Sequence, residues 1–277
     1  MKQAIYHQLE YSGKNEFSSY VCETAEHCPT SHFHKNFEVL IVMRGQCVCT
    51  VGGDQYLLQE NDAIIVLPFQ IHSFSVMEDS AVRCTVFHEH LILTLAQSIG
   101  GKKPEMPVFR PNDEIRAFFL SQMSQCFGED SGMHRRISPS FQRMKTKGCL
   151  YMIVGELLEQ ATFVPISGGD TVAMNVLQYI SNNFRRNISL KDIAKSTGYN
   201  YQYLSRMFNQ IFGINFKKIL NQYRLEYAYA LLQDTGLSMS EISFESGFQS
   251  IRSFDYVCQE TFHMSPLRLR RESLGTK

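Results

Sequence analysis

The chain has 277 residues, of which 44% are hydrophobic and 19% are charged, and its formal net charge is zero; this composition is typical of a soluble globular protein with room for two domains. It contains no run of about 18 uncharged apolar residues, and the polar residues after Met1 lack a signal-peptide core, so we expect a cytoplasmic protein without a membrane span. The eight cysteines contain no CxxC pair, which excludes a zinc finger and is typical of reduced thiols.

The sequence of residues 1–90 predicts a series of short strands. Runs rich in valine, isoleucine, phenylalanine and cysteine alternate with turn residues at intervals of about 8–12 residues. The predicted strands are Phe37–Met43, Cys47–Val51, Gln55–Leu58, Ala63–Leu67 and Val82–Phe87. Many short strands at this spacing favour a small antiparallel sandwich or barrel, which can hold one small ligand inside.

The hydrophobic period changes to that of a helix from Asn112 onward. Apolar residues lie at helical spacing in two segments, one beginning at Pro111-Asn112-Asp113 and one at Ser138-Pro139. Two helices outside a small barrel either join it to a second copy or cover one of its faces, and here we expect a dimer contact. The Pro-Ile-Ser-Gly-Gly-Asp sequence at 165–170 then predicts a linker.

The last third of the chain contains one helix-turn-helix pattern written twice. The repeated positions are Leu190, Ile193, Ala194, Gly198, Leu204, Phe208 and Phe212, which recur as Met239, Ile242, Ser243, Gly247, Phe254, Cys258 and Phe262. Ser189, Asn200, Ser238 and Ser250 stand where helix caps are expected. A predicted helix of about 18 residues from Asn215 would span ~27 Å between the two units. Both units could then enter successive major grooves, which lie ~34 Å apart.

The charge distribution supports nucleic acid as the partner of this repeated segment. Residues 1–172 carry a net charge of −5, whereas residues 173–277 carry +5. A basic half that coincides with the repeat is the electrostatic pattern expected for a phosphate-binding surface. The predicted phosphate contacts are Lys191, Lys195, Lys217, Lys218 and Arg224. The alternative for each of them is a plain surface or salt-bridge role.

Residues 176–270 closely resemble the DNA-binding domain of the AraC/XylS-type transcription regulators. The matching positions are Leu190, Ile193-Ala194, Gly198, Tyr203-Leu204-Ser205-Arg206-Met207-Phe208, Gly213, Arg224, Ala228, Leu231-Leu232, Ile242, Gly247-Phe248, Ser253-Phe254 and Ser265-Pro266. This resemblance implies double-stranded DNA and RNA polymerase as partners.

The outward faces of the third helix in each unit supply the predicted base-reading residues. They are Gln202, Ser205, Arg206 and Asn209 in the first unit, and Arg252, Asp255 and Tyr256 in the second. The resemblance supports the first three, and arginine and glutamine pair well with guanine and adenine. Tyr256 departs from the family pattern, in which a basic residue is frequent, and Cys258 replaces a bulky aromatic. We therefore expect weaker or more selective binding by the second unit; the alternative is a solvated helix face.

The N-terminal half carries a second resemblance, to the two sequence motifs of the cupin barrel. The motif His32-x-His34-x-x-x-Glu38, followed by Gly45, and the motif Pro68-x-x-x-His72 carry it. On one strand, His32, His34 and Glu38 would share a face, and His72 would complete a set that suits zinc, iron, manganese or nickel. We favour a barrel without a cofactor that binds a polar small molecule such as a sugar, with a divalent transition metal at these four residues as the alternative. The predicted effector-binding residues are His32, His34, Glu38, Tyr56, His72 and Phe74.

The sequence therefore predicts an α+β multidomain protein: a cupin-like antiparallel β-barrel with a helical pair, then an all-α double helix-turn-helix domain. The expected boundaries are 1–110 for the effector-sensing barrel, 111–163 for a helical dimerisation or capping segment, 164–172 for a linker and 173–277 for the DNA-binding domain. We expect a homodimeric one-component transcription regulator that is not an enzyme. The alternatives are a metal-dependent cupin enzyme fused to a DNA-binding domain and a ligand-free regulator controlled by a partner protein.

Overall fold

The computed structural model describes residues 6–7, 17–24, 30–88, 91–92, 95, 98–128, 140–167, 169–234 and 236–273. Beyond its first fourteen residues, the chain divides into two compact units, residues 15–174 and 175–277. Among the described residues, no helix is both long enough and apolar enough to cross a membrane. The predicted helix start at Ser138-Pro139 lies outside the described residues.

The first unit is built on two five-stranded sheets, one of which includes a strand from the first fourteen residues, and their described pairings are antiparallel. The first sheet has the order β1 (Tyr6–His7), β3 (His32–Phe33), β8 (His72–Val76), β5 (Gln46–Val51) and β6 (Asp54–Gln59). The second has the order β11 (Val108–Phe109), β7 (Ala63–Val66), β4 (Phe37–Arg44), β9 (Ala81–Phe87) and β2 (Phe17–Cys22). All five strands predicted from the sequence are confirmed to within one residue at each end.

Two helices, α1 (Asp113–Phe127) and α2 (Ser140–Gln160), cover the outer face of the second sheet. Because both faces of this sheet are covered, the central strand β4 is buried from Phe37 to Val42. Phe37, Val39 and Ile41 pack with the helices, so Glu38 and the other alternate residues point between the two sheets. The helical pair thus covers one face of the barrel, which was the alternative to a dimer contact; the dimer stays a prediction.

The predicted linker contains more regular structure than the sequence indicated. Strand β12 (Phe163–Pro165) pairs antiparallel with β10 (Lys102–Pro104), so its first residues fold back onto the first unit. Helix α3 (Gly169–Asn183) then begins before the predicted domain start at 173. The predicted 164–172 linker therefore begins in the last residues of a strand and ends in the first turn of a helix. A Pro-Gly-rich composition does not reveal that an extended segment has a strand partner sixty residues earlier.

The second unit is entirely helical in its described residues, as predicted. After α3 it consists of α4 (Leu190–Thr197), α5 (Tyr201–Met207), a π-helical turn (Phe208–Phe212), α6 (Phe216–Asp234), α7 (Met239–Glu245), α8 (Ile251–Phe262) and α9 (Pro266–Ser273). The two helix-turn-helix units are therefore α4–α5 and α7–α8. The π-helical turn follows α5 directly, so the third helix of the first unit ends in a wider turn, whereas α8 of the second unit is α-helical throughout. In this wider turn the rings of Phe208 and Phe212 lie 5.2 Å apart.

The helix caps predicted from the sequence are confirmed. Ser189 and Ser238 form capping boxes with Asp192 and Glu241, respectively, at the same position of the two units. Asn200 and Ser250 cap the two third helices through their side-chain oxygens. The local signals that begin each helix are thus repeated along with the hydrophobic pattern.

Candidate DNA interface and effector site

A short segment after α3, residues 184–186, joins the parts of the second unit; we call it the junction. Arg224 of α6 donates from Nε to the carbonyl of Phe184 at 2.9 Å and from Nη2 to the carbonyl of Arg186 at 3.0 Å. Arg185 of the junction forms an ion pair with Glu245 of α7, and its Nε donates to the carbonyl of Glu245 at 2.8 Å. Helices α6 and α7 are therefore fixed to the same piece of backbone.

The turn of the second helix-turn-helix unit also packs against the junction. Gly247 has a φ of +86°, and a Cβ atom there would lie 2.7 Å from the Cα of Arg185 and from the carbonyl oxygen of Phe184. Only glycine meets both conditions. The equivalent Gly198 of the first unit has a φ of +75° but nothing within 4 Å of a Cβ. The second turn is thus defined by close packing as well as by backbone conformation.

The structure gives Arg224 a role other than the predicted phosphate contact. Its side chain is buried, at 6% exposure, and Nε and Nη2 both donate to backbone carbonyls. With Nε and Nη2 both engaged by backbone carbonyls, this guanidinium links α6 to the junction. The other four predicted phosphate residues, Lys191, Lys195, Lys217 and Lys218, are all exposed.

The recognition helix of the first unit, α5, presents the expected face. Leu204 and Met207 are buried, whereas Gln202 and Arg206 are exposed and Ser205 is half-buried. The Nε of Arg206 lies 3.4 Å from the carbonyl of Gln202 and donates to it, so this side chain follows the helix surface. The side chain of Asn209 lies outside the described part of the structure.

A groove of about 600 Å³ runs beside this helix. Lys191, Lys217 and Arg224 line it together with Ser205 and Tyr201, so three residues predicted to contact phosphate and one predicted base reader share one surface. Tyr201, at 43% exposure, was missed by the sequence analysis. The spacing of the tyrosines at 199, 201 and 203 could have identified it, because this spacing does not match the period of the buried residues in a helix.

The second unit presents an exposed face of different chemistry on α8. Phe254, Val257 and Cys258 are buried. Arg252, Asp255 and Tyr256 are exposed, and Tyr256 has 68% of its surface accessible. This arrangement matches the predicted outward positions, and their base-reading role stays a prediction.

Four polar residues meet between the sheets of the first unit. The potential ligand atoms of His32, His34, Glu38 and His72 all lie within 4.8 Å of one another, and each residue is buried. Glu38 Oε2 lies 3.0 Å from Nε2 of His34 and 3.3 Å from Nε2 of His72. The predicted cluster therefore forms, but not on one strand: the chain leaves β3 after Phe33 and enters β4, in the other sheet, at Phe37.

The three imidazole rings are oriented by backbone carbonyls. Nδ1 of His32, His34 and His72 lies 2.9, 3.1 and 2.8 Å from the carbonyls of Thr30, Asn36 and Gln70, respectively. Since a carbonyl can only accept, each Nδ1 carries the proton, and a neutral ring then presents a lone pair at Nε2. This support from carbonyl groups is also how proteins orient histidine ligands of metals.

Electrostatics makes the cluster a set of acceptors. Burial lowers the pKa of His32 and of His34, so both rings are neutral at pH 7. Burial alone would raise the pKa of Glu38, but the hydrogen bonds that it accepts whenever Nε2 of His34 or His72 carries a proton outweigh this effect and hold the pKa well below its usual range. An ionised carboxylate beside a bare Nε2 requires a shared proton, a ligand donor or a cation. The four residues thus fit a divalent transition metal, and they equally fit a ligand rich in hydroxyl groups.

The other two predicted effector residues lie on the same inward face. Phe74 and Tyr56 both pair with Cys49 across β5, so the three side chains point the same way. Phe74 is buried, whereas Tyr56 is half-buried. The structure thus places both beside the interior, although only the four polar residues form a cluster.

Cysteines that are scattered in the sequence also converge between the sheets. Cys22, Cys47, Cys49 and Cys84 are all buried on strands β2, β5 and β9. Burial raises the pKa of the Cys84 thiol to about 12, so it stays protonated. The interior is therefore apolar and thiol-rich away from the histidine cluster, a juxtaposition that linear spacing does not reveal.

Comparison with known proteins identifies both halves of the chain. Residues 16–138 match the model of the AraC-like ligand binding domain, and residues 193–272 match the model of a helix-turn-helix domain. The chain belongs to the AraC/XylS-type transcription regulators. This family carries both a ligand-binding and a helix-turn-helix domain, as the two sequence resemblances predicted.

Relatives of this AraC/XylS-type regulator match it over different lengths. The transcriptional activator RhaR of Shigella dysenteriae is 22% identical, over 86% of each chain. Uncharacterized HTH-type regulators of Staphylococcus aureus are 29% identical over 101 residues, which are 36% of this chain and 14% of theirs. The solved structure of apo ToxT from Vibrio cholerae shares the fold, with a TM-score of 0.53 at 12% identity over 93% of this chain and 98% of that one.

Proposed function

We propose that this AraC/XylS-type regulator binds specific DNA sequences and that its barrel adjusts this binding in response to a small molecule. The observation that carries the proposal is the pair of helix-turn-helix units joined by α6, each with an exposed polar face on its third helix. Helix α6, with 19 residues, is about 28 Å long at 1.5 Å per residue. This length suits two recognition helices that enter successive major grooves.

The test is selection of preferred oligonucleotides from a random pool by the full chain. We expect a composite site with two short blocks whose centres lie about 10 base pairs apart. Enrichment of a single block would show that the second helix-turn-helix unit does not recognise a base sequence. The absence of any enriched sequence would contradict the proposal.

The effector we propose is a polar molecule with several hydroxyl groups, such as a sugar, bound at the histidine cluster. Glu38 and the Nε2 atoms of His34 and His72 are acceptors at the same place, and hydroxyl groups are the donors that satisfy them. An anionic effector would instead be repelled by Glu38. RNA polymerase and a second copy of the chain complete the proposed set of partners.

A metal-responsive regulator is the second candidate, because the same three rings present lone pairs toward one carboxylate. His32, His34, Glu38 and His72 would hold the ion, and the ion would supply positive charge that neutralises the buried carboxylate.

Thermal-shift measurements on the full chain distinguish the two candidates: a panel of sugars is compared with zinc, manganese, iron and nickel, with and without chelator. Stabilisation by sugars alone supports the first candidate, and stoichiometric metal with loss of stability on chelation supports the second. Stoichiometric iron or manganese together with substrate turnover would instead indicate a cupin enzyme.

A further inference from the structure

Ser18 on β2 has a buried hydroxyl group that lacks a hydrogen-bond partner. The residue is 5% exposed, and its Oγ forms no hydrogen bond within the described residues. A buried hydroxyl group without a hydrogen bond is unfavourable, and such groups are rare enough in proteins that each one calls for an explanation. Ser18 is thus a polar exception in an interior that is otherwise apolar and thiol-rich away from the histidine cluster.

The neighbouring serine shows what a structural hydroxyl group looks like on the same strand. Oγ of Ser19 lies 3.0 Å from Oγ1 of Thr85 and accepts from Nη1 of Arg83 at 3.4 Å. Ser19 points toward the helical pair, as does Phe17, which packs in the core between the sheet and the helices. Because side chains alternate along a strand, Ser18 points the other way, between the two sheets.

Ser18 and Glu38 lie in one row across the second sheet. Val86 of β9 is opposite Ser18 of β2 on one side and opposite Glu38 of β4 on the other. The two polar residues are therefore two strand spacings apart, about 9.5 Å, and the buried side chain of Val86 lies between them. This row presents a polar group at each end and an apolar surface at its centre.

The length of the row indicates the size of a molecule that reaches both ends. After one hydrogen bond of about 2.8 Å at each end, the two ligand oxygens would lie about 4 Å apart. This separation is on the scale of one sugar ring. The C–H groups of such a ring would lie over Val86, which is the usual combination of apolar lining and a few placed polar groups in a ligand pocket.

We infer that Ser18 is a second anchor for the effector, on the side of the ring opposite to the hydroxyl group that Glu38 and the histidines hold. A metal ion alone would not explain Ser18, because an ion lies about 2.0–2.2 Å from its ligands and Ser18 is two strands away from Glu38. The unpaired hydroxyl group therefore favours a sugar over a bare metal ion. The inference rests on the proposed effector site and adds to it a ligand size and a second contact.

Paired alanine variants of the full chain test the inference, with a panel of pentoses and hexoses as the probe. Ser18→Ala should not lower the melting temperature without sugar, because it removes an unsatisfied hydroxyl group. It should raise the Kd of the sugar that stabilises the unaltered chain at least about fivefold. Ser19→Ala is the matched control, with the same residue type on the same strand. It should lower the melting temperature, because Thr85 loses its partner, and leave the sugar Kd unchanged.

Monodeoxy analogues of that sugar identify the hydroxyl group that Ser18 holds. One analogue should bind the unaltered chain at least about fivefold more weakly than the parent sugar does. Its Kd should be the same for Ser18→Ala, because the two changes remove the same hydrogen bond. Removal of any other hydroxyl group should weaken binding to both chains by the same factor.

Two results would overturn the inference. One is an equal sugar Kd for Ser18→Ala and the unaltered chain, which leaves the proposed effector class intact. The other is a melting temperature that falls as far in Ser18→Ala as in Ser19→Ala, because the hydroxyl group of Ser18 would then be satisfied without a ligand. The absence of a response to any sugar of the panel would contradict the proposed effector class itself, and this inference with it.

Discussion

Replacement of Arg224 by methionine should destabilise the second unit and leave the number of its phosphate contacts unchanged. The guanidinium donates two hydrogen bonds to the carbonyls of Phe184 and Arg186, at 2.9 and 3.0 Å, and the side chain is buried. A hydrogen bond to a charged group contributes about 1.5–3 kcal/mol. Methionine keeps the apolar stem, so we expect a loss of about 2–4 kcal/mol after partial relaxation.

The assay for this prediction combines calorimetry with DNA binding at several salt concentrations. In a unit of about 100 residues, the loss should lower the melting temperature by at least about 8 °C. The slope of log K against log salt should stay constant, because no phosphate contact has been removed. Lys217→Gln is the matched control: it should reduce the slope by about 0.9 and change stability by less than about 0.5 kcal/mol.

The opposite pattern would refute this account of Arg224. If the slope of log K against log salt falls by about one unit while the melting temperature is unchanged, Arg224 contacts a phosphate. That result would also show that the two hydrogen bonds of Arg224 do not hold α6 to the junction. The argument for a fixed spacing of the two units would then fail.

Three further predictions concern the turns and the two sites. Gly247→Ala should destabilise the second unit by about 2–5 kcal/mol, because the new Cβ would clash with the junction and the residue has a positive φ. Gly198→Ala, the control, should destabilise it by only about 1–2 kcal/mol. Equal losses of stability in urea unfolding would show that close packing against the junction does not constrain the second turn. Arg206→Ala should weaken specific binding by about 1–3 kcal/mol and relax the preference at one base pair, and an equal loss on random DNA would reduce Arg206 to a phosphate contact. His34→Ala should abolish the effector or metal response of the full chain and leave its affinity for the oligonucleotide without effector unchanged. Lys35→Ala is the control. A dose response like that of the unaltered chain would show that His34 does not take part in sensing.

Local signals in the sequence predicted most of the secondary structure. The strands follow from alternating apolar runs between turn residues, and the hairpin at Gly52-Gly53 follows from two adjacent glycines with positive φ. Capping residues such as Ser189 and Ser238 act within three residues of their own position. Such features are predictable because their physical causes lie close together along the chain.

Features that depend on distant contacts were not predictable in the same way. Arginine is a residue type that often contacts phosphate, and only the fold shows that Arg224 donates to a backbone segment forty residues earlier. The histidine cluster was predicted as a set of residues, but its two-sheet geometry and the carbonyls that orient its rings were not. The interior thiols have no linear motif at all, because three different strands bring them together.

The measurement that tests the central claim most directly is hydroxyl-radical footprinting of the full chain on its selected operator. Two recognition helices joined by α6, which is itself fixed with α7 to the junction, predict two protected patches per chain on one side of the duplex, with centres about 10 base pairs apart. Gly247→Ala should weaken the patch of the second unit before that of the first. A single patch, or two patches whose spacing varies between operators, would contradict a rigidly spaced pair of helix-turn-helix units.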